Sequence, residues 1–397
     1  MNFIFVGSIY PKYLLDYLVR SKKGADFAAN NYQTALLDGF KVYFNPIKII
    51  SGPSINNFRQ CESYCLKGQL VPFEEAGYND FYYVGNIRSR LFKMPYRFLK
   101  TRKILQGLLH SDINKNIVCC YSLHSPFLLA ILSLRKKIRK VCVVIPDLPQ
   151  YMSDNNSLFY KMAKMIDGLL INYCIRKFDL FAILTTAMTT RLPLDGKQWV
   201  LIEGIYHDRK YPIVEKSKKN VILYTGQLQK RYGIFDLVDA FMKISDPNYE
   251  LWLCGMGNDE EMQWLNEQVN RDGRIKLMGR VAPDHVLALQ RQATLLVNPR
   301  HSNEEFTKYS FPSKTMEYLA SGTPTLMCKL PSIPLEYYNH LFFFDDESVD
   351  GMSQKIVEIC SLDKEFLKIK GESAAEFIKS YKNSSYQVKK IISMLMS

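Results

Sequence analysis

The sequence lacks the long apolar run that a membrane-spanning helix needs. Its best candidate, 119–134, contains His124 and Pro126 and is followed by the basic run Arg135-Lys136-Lys137. Since a bilayer crossing takes about 20 apolar residues, no segment is expected to span a membrane. The N-terminal residues lack the basic start and extended apolar core of a secretory signal, and they are predicted to form a buried strand.

Paired cysteine motifs are also absent. The nine cysteines are scattered without any C-x-x-C spacing, and several, including Cys119, Cys142 and Cys254, lie inside apolar runs. Such cysteines are typical of reduced core residues in a cytosolic protein. The pattern predicts neither a disulfide framework nor a zinc site.

Acidic residues are scarce in the first half of the chain. Residues 1–200 carry 27 Lys and Arg against 13 Asp and Glu, whereas residues 201–397 carry 25 against 26, so one half holds the whole excess of the +13 formal charge. A basic half indicates a polyanionic partner, which means nucleic acid, an anionic membrane surface or phosphorylated substrates. The alternative is a solvated basic face without a partner.

The chain has 397 residues, of which 47% are hydrophobic and 23% charged, so wholesale disorder is excluded and two domains are expected. Apolar strand-like runs alternate with amphipathic helical patterns, which is typical of parallel sheets covered on both faces. The predicted strands are 2–6, 41–44, 117–121, 141–145, 180–184, 221–224, 251–254, 275–278 and 295–297. The predicted helices are 25–38, 91–109, 125–137, 157–177, 233–243, 258–270, 284–292 and 312–321.

A Lys- and Pro-rich stretch at 209–220 separates two such series. The α/β pattern therefore predicts two doubly wound, Rossmann-like domains facing a cleft, with residues 1–205 and 206–397 as their limits. Residues 348–397 are predicted to be helical without a new strand. They either cap the second domain or, from about 376 onward, pack back on the first.

Ligands of open parallel sheets collect at the carboxyl ends of the strands, where loops enter helix N-termini. The stretch 224–233 runs from a strand through a loop with glycines and cations, which suits a diphosphate. The segment 309–324 begins a helix at Pro312, and Ser313 and Glu317 share one face of it. A carboxylate there can accept hydrogen bonds from a sugar diol, although a surface glutamate is the simpler interpretation.

These features, in this order, resemble the retaining glycosyltransferases of family 4, which have the GT-B fold. The matching elements are Tyr224-Thr225-Gly226 with Tyr232-Gly233-Ile234, then Gly255-Met256-Gly257, then Gly279-Arg280-Val281, then Phe311-Pro312-Ser313-Lys314 through Glu317 to Pro324. The similarity extends through Pro331 and Pro334-Leu335-Glu336-Tyr337 to the subgroup that builds bacterial capsules and exopolysaccharides.

The resemblance implies that Glu317 binds the ribose of a nucleotide sugar, most simply a UDP-sugar, and that 306–313 lies along the diphosphate and the donor sugar. The sequence departs from the family at three positions. Gln227 and Tyr232 stand where Arg and Lys are common, so Lys230, Arg231 or Lys314 would supply the charge, and Tyr309 replaces a common Glu. The full predicted donor set is Gly226, Gln227, Lys230, Arg231, Gly279, Arg280, Val281, Tyr309, Ser313, Lys314 and Glu317.

In the first domain, Asp147 follows strand 141–145 at the place where many relatives have an active-site His. It is a candidate for acceptor binding or for the catalytic base, although a loop Asp that bonds local amides is equally compatible. His124 is a second catalytic candidate, for which a structural role is the alternative. Gly24 and Asp26 open the first long helix and resemble the glycine-bearing loop beside the acceptor.

The segment 88–103 contains seven Lys and Arg, no acid, and interleaved apolar residues. This mixture is typical of an interfacial segment on anionic lipid, and no nucleic-acid-binding motif accompanies it. The first domain is therefore expected to dock on the inner face of a bacterial plasma membrane, as a cytoplasmic peripheral protein. The residues predicted to meet the membrane are Arg88, Arg90, Lys93, Arg97 and Lys100.

The expected activity is retaining transfer of a hexose from a nucleoside-diphosphate sugar to a lipid-diphosphate-linked glycan. No Asp-x-Asp pair of the kind that holds a divalent metal occurs, so no metal or other cofactor is predicted. Two alternatives stay open at this point: a GT-B sugar-nucleotide epimerase, and a non-catalytic protein that binds a sugar nucleotide or a membrane.

Overall fold

The computed structural model describes most of the chain, and the following account is confined to that part. The described residues are 1–20, 26–53, 68–87, 89, 92–148, 158–207 and 211–397. They form two compact units, of which unit 1 comprises Met1–His207 with Ser384–Ser397 and unit 2 comprises Asp208–Asn383. The predicted boundary after residue 205 lies two residues before the one in the structure.

Unit 1 is built on an eight-stranded sheet with the order β3-β4-β2-β1-β5-β6-β7-β8. All neighbouring strands are parallel except β3 and β4, which are antiparallel. The strands are β1 (Asn2–Gly7), β2 (Ile47–Ser51), β3 (Gln69–Val71), β4 (Phe81–Tyr83), β5 (Asn116–Tyr121), β6 (Lys140–Ile145), β7 (Leu180–Ile183) and β8 (Gln198–Leu201). The helices are α1 (Lys12–Arg20), α2 (Phe27–Lys41), α3 (Phe73–Ala76), α4 (Lys93–Leu108), α5 (Ser125–Ser133) and α6 (Leu158–Lys177).

Unit 2 is built on a six-stranded parallel sheet with the order β11-β10-β9-β12-β13-β14. Its strands are β9 (Asn220–Gln227), β10 (Tyr249–Met256), β11 (Ile275–Gly279), β12 (Leu295–Asn298), β13 (Thr325–Met327) and β14 (Phe342–Phe343). Its helices are α7 (Ile234–Met242), α8 (Asp259–Arg271), α9 (Pro283–Gln292), α10 (Ser313–Ala320), α11 (Val349–Cys360) and α12 (Lys364–Tyr381). The prediction of two doubly wound α/β domains is confirmed.

The last helix, α13 (Ser384–Met396), belongs to unit 1, where it packs against α2. Gly39 on α2 makes this approach possible, because a β-carbon at that position would lie 2.5 Å from the Ser384 carbonyl oxygen. Val388, Ile391 and Leu395 of α13 are buried in the core cluster of unit 1. The C-terminus is therefore part of the hydrophobic core of unit 1, and its removal would uncover α2.

The predicted strand at 41–44 is wrong. Helix α2 continues to Lys41, and Val42 and Tyr43 are exposed in the turn that follows. The strand of this region is β2, which pairs in parallel with β1. The segment that pairs with β1 is Ile47–Ser51, whereas residues 42–44 form the turn after α2, in which Phe44 is buried and its ring stacks on Phe3 of β1. The tertiary context, and not the strand propensity of Val, Tyr and Phe, therefore decides the position of the strand.

Candidate functional site

Lys314 lies at the carboxyl end of the unit 2 sheet, in the first turn of α10. Its ammonium group lies beside Gly226 at the end of β9, since a β-carbon built on that glycine would lie 2.9 Å from Lys314 Nζ. Any larger residue at 226 would push the lysine away. Burial lowers the pKa of Lys314, and the neighbouring Glu317 carboxylate acts in the opposite direction. Lys314 is thus a half-buried cation at the end of a strand, and the missing side chain of Gly226 leaves room for it.

Glu317 is held by a residue from a different helix. The Nε2 amide of the fully buried Gln290 donates a hydrogen bond of 2.6 Å to Glu317 Oε1. One helical turn separates Ser313 from Glu317, and Lys314 lies between them in sequence. This places a hydroxyl, a cation and an oriented carboxylate on neighbouring positions of α10, with Ser313 exposed and the other two half-buried.

A buried tyrosine fixes α10 to the sheet. The backbone amide of Thr225 donates to the Tyr318 hydroxyl at 2.8 Å, and this hydroxyl in turn donates to the Thr225 carbonyl at 3.3 Å. Because Tyr318 is fully buried, the bonds hold the end of β9 and the middle of α10 in one register. The position of Lys314 relative to Gly226 therefore follows from the packing of this helix.

Arg300, the second residue after β12, adds a second cation to this edge of the sheet. Its guanidinium lies 4.8 Å from the centroid of the Tyr232 ring and 5.0 Å from that of Phe306. Burial lowers the pKa of Arg300, and the nearby tyrosines oppose this effect. Arg231 also contacts Tyr232. Its guanidinium lies 4.9 Å from the centroid of the Tyr232 ring and donates a hydrogen bond of 3.0 Å to the Tyr232 hydroxyl. Tyr232 is thus a shared platform for two arginines.

The remaining predicted donor residues differ in how the structure places them. Gln227 and Lys230 are exposed, and the backbone amide of Lys230 donates to Glu261 at 3.0 Å. Gly279 takes a φ of 63° at the end of β11, which favours glycine there. Arg280 is exposed and Val281 packs against the core cluster of unit 2. Tyr309 is buried in the short helical turn before α10.

A second group of predicted residues lines a cavity of about 180 Å³ in unit 1. The catalytic candidates Asp147 and His124 both reach it, as does Asp26, the N-cap of α2. Gly24 lies outside the described residues. The pKa of the Asp147 carboxyl group is raised to about 6, first by its burial and then by the nearby Asp26 carboxylate. This cavity brings together side chains that follow β5 and β6 with the N-terminus of α2.

His124 is held neutral by its surroundings. Burial, followed by the charges of Arg97 and Lys93, lowers its pKa to about 3. Its Nε2 lies 3.0 Å from an Arg97 guanidinium nitrogen. Since arginine can only donate, Nε2 accepts this bond and the ring proton is on Nδ1. His124 is therefore a poor candidate for a base that takes a proton through Nε2.

The prediction that Arg97 meets the membrane is wrong. Its side chain is 1% exposed, and one guanidinium nitrogen donates to the Pro53 carbonyl and to Asn86 Oδ1, each at 2.8 Å. It cannot reach lipid, because the buried face of α4, formed by Arg97, Thr101 and Leu105, points into the unit. Lys93 and Lys100 are half-buried, and Arg88 and Arg90 lie outside the described residues.

A larger cavity of about 610 Å³ opens at the opposite edge of the unit 2 sheet. It is lined by Asn220 at the start of β9, by Pro324 just before β13 and by Lys216. None of the predicted donor residues lines it. In parallel sheets ligands bind at the carboxyl ends of the strands, so this cavity carries no part of the donor site.

The carboxyl edge of the unit 2 sheet that carries the predicted donor residues is called the donor edge. The predicted donor set lacks two residues that the structure places at this edge. Gln290 lies on α9, 27 positions before Glu317, and its only sequence signal is a polar residue within an otherwise helical pattern. Arg300 stands in the Asn298-Pro299-Arg300 run after a strand, which was the available signal.

The comparisons with known proteins cover both units. Residues 208–381 match the family model described as "Glycosyl transferases group 1". A comparison with curated protein sequences finds no match.

The solved structure of HepE (Alr3699) from Anabaena, in complex with UDP, is 13% identical, covers 100% of both chains and has a TM-score of 0.65. Sucrose-phosphate synthase from Thermosynechococcus elongatus is 14% identical, with a TM-score of 0.63, and covers 100% of this chain and 98% of its own. The lipopolysaccharide outer core galactosyltransferase WaaB, in its apo form, is 13% identical, with a TM-score of 0.64 and coverages of 100% and 99%. At these identities the likeness shows the GT-B fold. Together, the fold of the chain and the family match of unit 2 support a glycosyltransferase with the GT-B fold.

Proposed function

We propose that this protein is a retaining hexosyltransferase that transfers a sugar from a UDP-sugar to a lipid-diphosphate-linked saccharide, in bacterial capsule or exopolysaccharide synthesis. The family match of unit 2 supports sugar transfer. The likeness to HepE, which was solved with UDP and with UDP-glucose, supports a uridine nucleotide as the donor. The basic first half supports a phosphate-linked acceptor at a membrane.

The observation that carries the donor assignment is the close approach of the Lys314 ammonium to Gly226, one turn from the oriented Glu317 carboxylate. A nucleoside diphosphate offers a ribose diol and, a few bonds away, two anionic phosphates. Glu317 would accept hydrogen bonds from the diol, and Lys314 would meet the diphosphate across the small surface of Gly226. The two ends of this arrangement match the two ends of the ligand.

The same groups would assist bond cleavage. When the sugar leaves the diphosphate, negative charge grows on the phosphate oxygens, and preorganised cations stabilise that charge in the transition state. Lys314 and Arg300 are already held in place by packing and by aromatic rings, so they reorganise little. We propose that this cation pair makes a divalent metal and any other cofactor unnecessary for the departure of the leaving group.

The acceptor is assigned to the 180 Å³ cavity of unit 1. Asp147 and Asp26 present carboxylates to it, and carboxylates accept hydrogen bonds from sugar hydroxyls. With a pKa of about 6, Asp147 is ionised at neutral pH and is yet a stronger base than an ordinary aspartate. It would orient the attacking hydroxyl and receive its proton.

Turnover is the test of this proposal. Purified protein is incubated with UDP-glucose, UDP-galactose or UDP-N-acetylglucosamine, with and without a lipid-diphosphate-linked saccharide extract, and UDP release is measured. We expect release that depends on the acceptor, with the α-anomeric linkage of the donor kept in the product. Release of UDP and free sugar without acceptor would support the hydrolytic epimerase-like reaction, and binding without any release would support a non-catalytic protein.

The surface of α6 supports the membrane part of the proposal. Six large apolar side chains of this helix are 39–65% exposed, and they recur at three- and four-residue spacing, which places them on one face. Ile171, Cys174 and Ile175 form the opposite, buried face. The exposed residues are Met162, Met165, Ile166, Leu169, Leu170 and Tyr173. This face, called the α6 stripe below, is a continuous apolar patch of the kind that marks an interaction site.

Charge indicates that the partner of the α6 stripe is an anionic bilayer. Arg176 and Lys177 are exposed at the end of the stripe, and Lys161 is exposed at its start. Helix α4 packs on α5, as α6 does, and exposes Leu99 with the neighbouring Phe92. Apolar side chains flanked by cations are typical of interfacial helices, whose affinity rises by roughly 1 kcal/mol for each cation near anionic lipid. We propose that α6, together with the outer face of α4, docks on the membrane.

Vesicle flotation tests this docking. The full chain is mixed with vesicles of phosphatidylcholine alone or with phosphatidylglycerol added, and the floating fraction is measured. We expect binding to the anionic vesicles that the double variant Ile166→Glu/Leu169→Glu weakens at least tenfold. Ile113→Glu, at another exposed isoleucine of unit 1, is the matched control. Equal flotation of the double variant and the wild type would refute the assignment to α6.

A further inference from the structure

Three potential metal ligands of unit 2 meet at one point. His301 follows β12, Cys328 directly follows β13, and Glu347 lies shortly before α11. Their ligand atoms, one per residue, all lie within 4.8 Å of one another. His301 Nδ1 is 3.3 Å from Glu347 Oε2, which is close to the separation of two ligand atoms on a tetrahedral zinc ion. These three residues are called the His-Cys-Glu cluster.

The surroundings of His301 orient it for such a role. Its Nε2 lies 2.6 Å from Asp236 Oδ2 in the first turn of α7, so the Nε2 proton is directed to Asp236 and Nδ1 faces the cluster. A metal-binding histidine almost always donates its other ring N–H to a carboxylate or a carbonyl. Glu347 is oriented too, because the backbone amide of Ser302 donates to its Oε2 at 3.0 Å.

Burial and charge fit a cation. Cys328 is fully buried, whereas the side chains of His301 and Glu347 are about one quarter exposed, so an ion would have a path from solvent. Two carboxylates and a thiol surround a single imidazole in the described part of this region. A divalent ion would balance this excess of acidic groups, and partly buried charges need such a partner.

We propose that His301 Nδ1, Cys328 Sγ and Glu347 bind a Zn²⁺ ion, with water in the fourth position. Thiolate with imidazole and carboxylate is a ligand set for zinc, whereas Mg²⁺ and Ca²⁺ take oxygen ligands. The ion would connect the loops that follow β12 and β13 to the start of α11. None of the three ligands belongs to the predicted donor set, so the proposal concerns structure and does not depend on the proposed function.

The ion would also order the donor edge. His301 is the neighbour of Arg300, whose guanidinium lies on the Tyr232 and Phe306 rings. A fixed His301 restricts the backbone of the loop that carries Arg300. Zinc is therefore expected to raise the stability of unit 2, by linkage between metal binding and folding.

Metal titration of the full chain tests the proposal. The protein is stripped with a chelator, dialysed, and titrated with ZnCl₂ and separately with CoCl₂. We expect one tightly bound ion per chain by elemental analysis, and a near-ultraviolet thiolate-to-cobalt charge-transfer band that Zn²⁺ displaces. Cys328→Ser should abolish the band, and Asp236→Asn should weaken zinc binding roughly 10- to 100-fold.

Cys360→Ser, at the end of α11, is the matched cysteine control and should keep the band. The wild-type measurements decide the question even where a variant at the buried Cys328 fails to fold. Substoichiometric zinc in the wild type, or a cobalt spectrum without the thiolate band, would overturn the proposal and leave His301 as a bridge between Asp236 and Glu347.

Discussion

The two units present their candidate sites in opposite ways. In unit 2 the donor edge is formed mainly by two segments, 224–233 and 298–317, which lie next to each other on neighbouring strands. In unit 1 the cavity is formed by Asp26, Arg97, His124 and Asp147, which come from four separate elements. A site built from contiguous motifs can be recognised in a sequence, whereas a site that the topology assembles from distant segments can be recognised only in a structure.

Their electrostatics differ as well. The donor edge combines Lys314 and Arg300 with one carboxylate that Gln290 orients. The unit 1 cavity sets two aspartates beside a buried guanidinium that is bonded to neutral groups. The first arrangement suits a ligand that carries negative charge, and the second suits hydroxyl groups and a proton transfer. This contrast supports the proposed division between a donor site in unit 2 and an acceptor site in unit 1.

Among the variants, Lys314→Ala is expected to have the largest effect on the activity of the proposed donor site. Removal of a preorganised cation from the leaving group is expected to lower kcat roughly 100-fold or more, and Lys314→Arg should recover part of the loss. Lys276→Ala, at an exposed lysine of β11 outside the predicted donor set, serves as the control in the same UDP-release assay. A kcat of Lys314→Ala within about threefold of the wild type would exclude a role in leaving-group departure.

Arg97→Ala tests whether unit 1 depends on its buried guanidinium. The substitution leaves His124 Nε2 and Asn86 Oδ1 without their donor, and we expect a loss of about 2–4 kcal/mol in the free energy of unfolding. Urea unfolding followed by tryptophan fluorescence measures it. Lys103→Ala, on the exposed side of α4, should change stability by less than about 0.5 kcal/mol. Equal effects would mean that Arg97 is a surface residue after all.

The variant Asp147→Asn tests the proposed acceptor site through the pH dependence of turnover. Wild-type turnover should fall below about pH 6, where the raised pKa protonates Asp147, and the variant should lack this limb and be roughly 10- to 100-fold slower at pH 8. A raised carboxyl pKa means that ionisation disfavours the folded state as the pH rises through about 4–6. Because asparagine does not ionise, the variant lacks this penalty, and its Tm at pH 8 should equal or exceed that of the wild type.

Asp195→Asn, at an exposed turn residue, should leave the pH profile of turnover unchanged. If the acidic limb of Asp147→Asn coincided with that of the wild type, another group would be responsible for it.

Much of the fold and of the donor edge followed from local sequence patterns. The alternation of strands and helices predicted two α/β domains, and helical periodicity placed Ser313 and Glu317 on one face of α10. The turn at Val42 was predicted as a strand because Val, Tyr and Phe have high strand propensity, whereas the segment whose backbone pairs with β1 is Ile47–Ser51.

The rest depends on contacts between distant segments. The basic run 88–103 contains an inward-facing cation, because Arg97 lies on the buried face of α4, four residues before Thr101 and eight before Leu105. This helical spacing was the signal, and the composition of the run did not reveal it. The His-Cys-Glu cluster has no paired spacing at all, because its members follow different strands. The topology of the sheet brings such residues together, and a search for sequence motifs carries no information about that topology.

The central claim is that unit 2 holds a uridine nucleotide through Glu317. Isothermal titration of UDP into the wild type, Glu317→Ala and the control Glu267→Ala, at an exposed position of α8, tests it most directly. We predict that the wild type and Glu267→Ala bind UDP with similar Kd and that Glu317→Ala binds at least tenfold more weakly, a loss of about 1.4 kcal/mol or more. Equal affinity of all three proteins would contradict it.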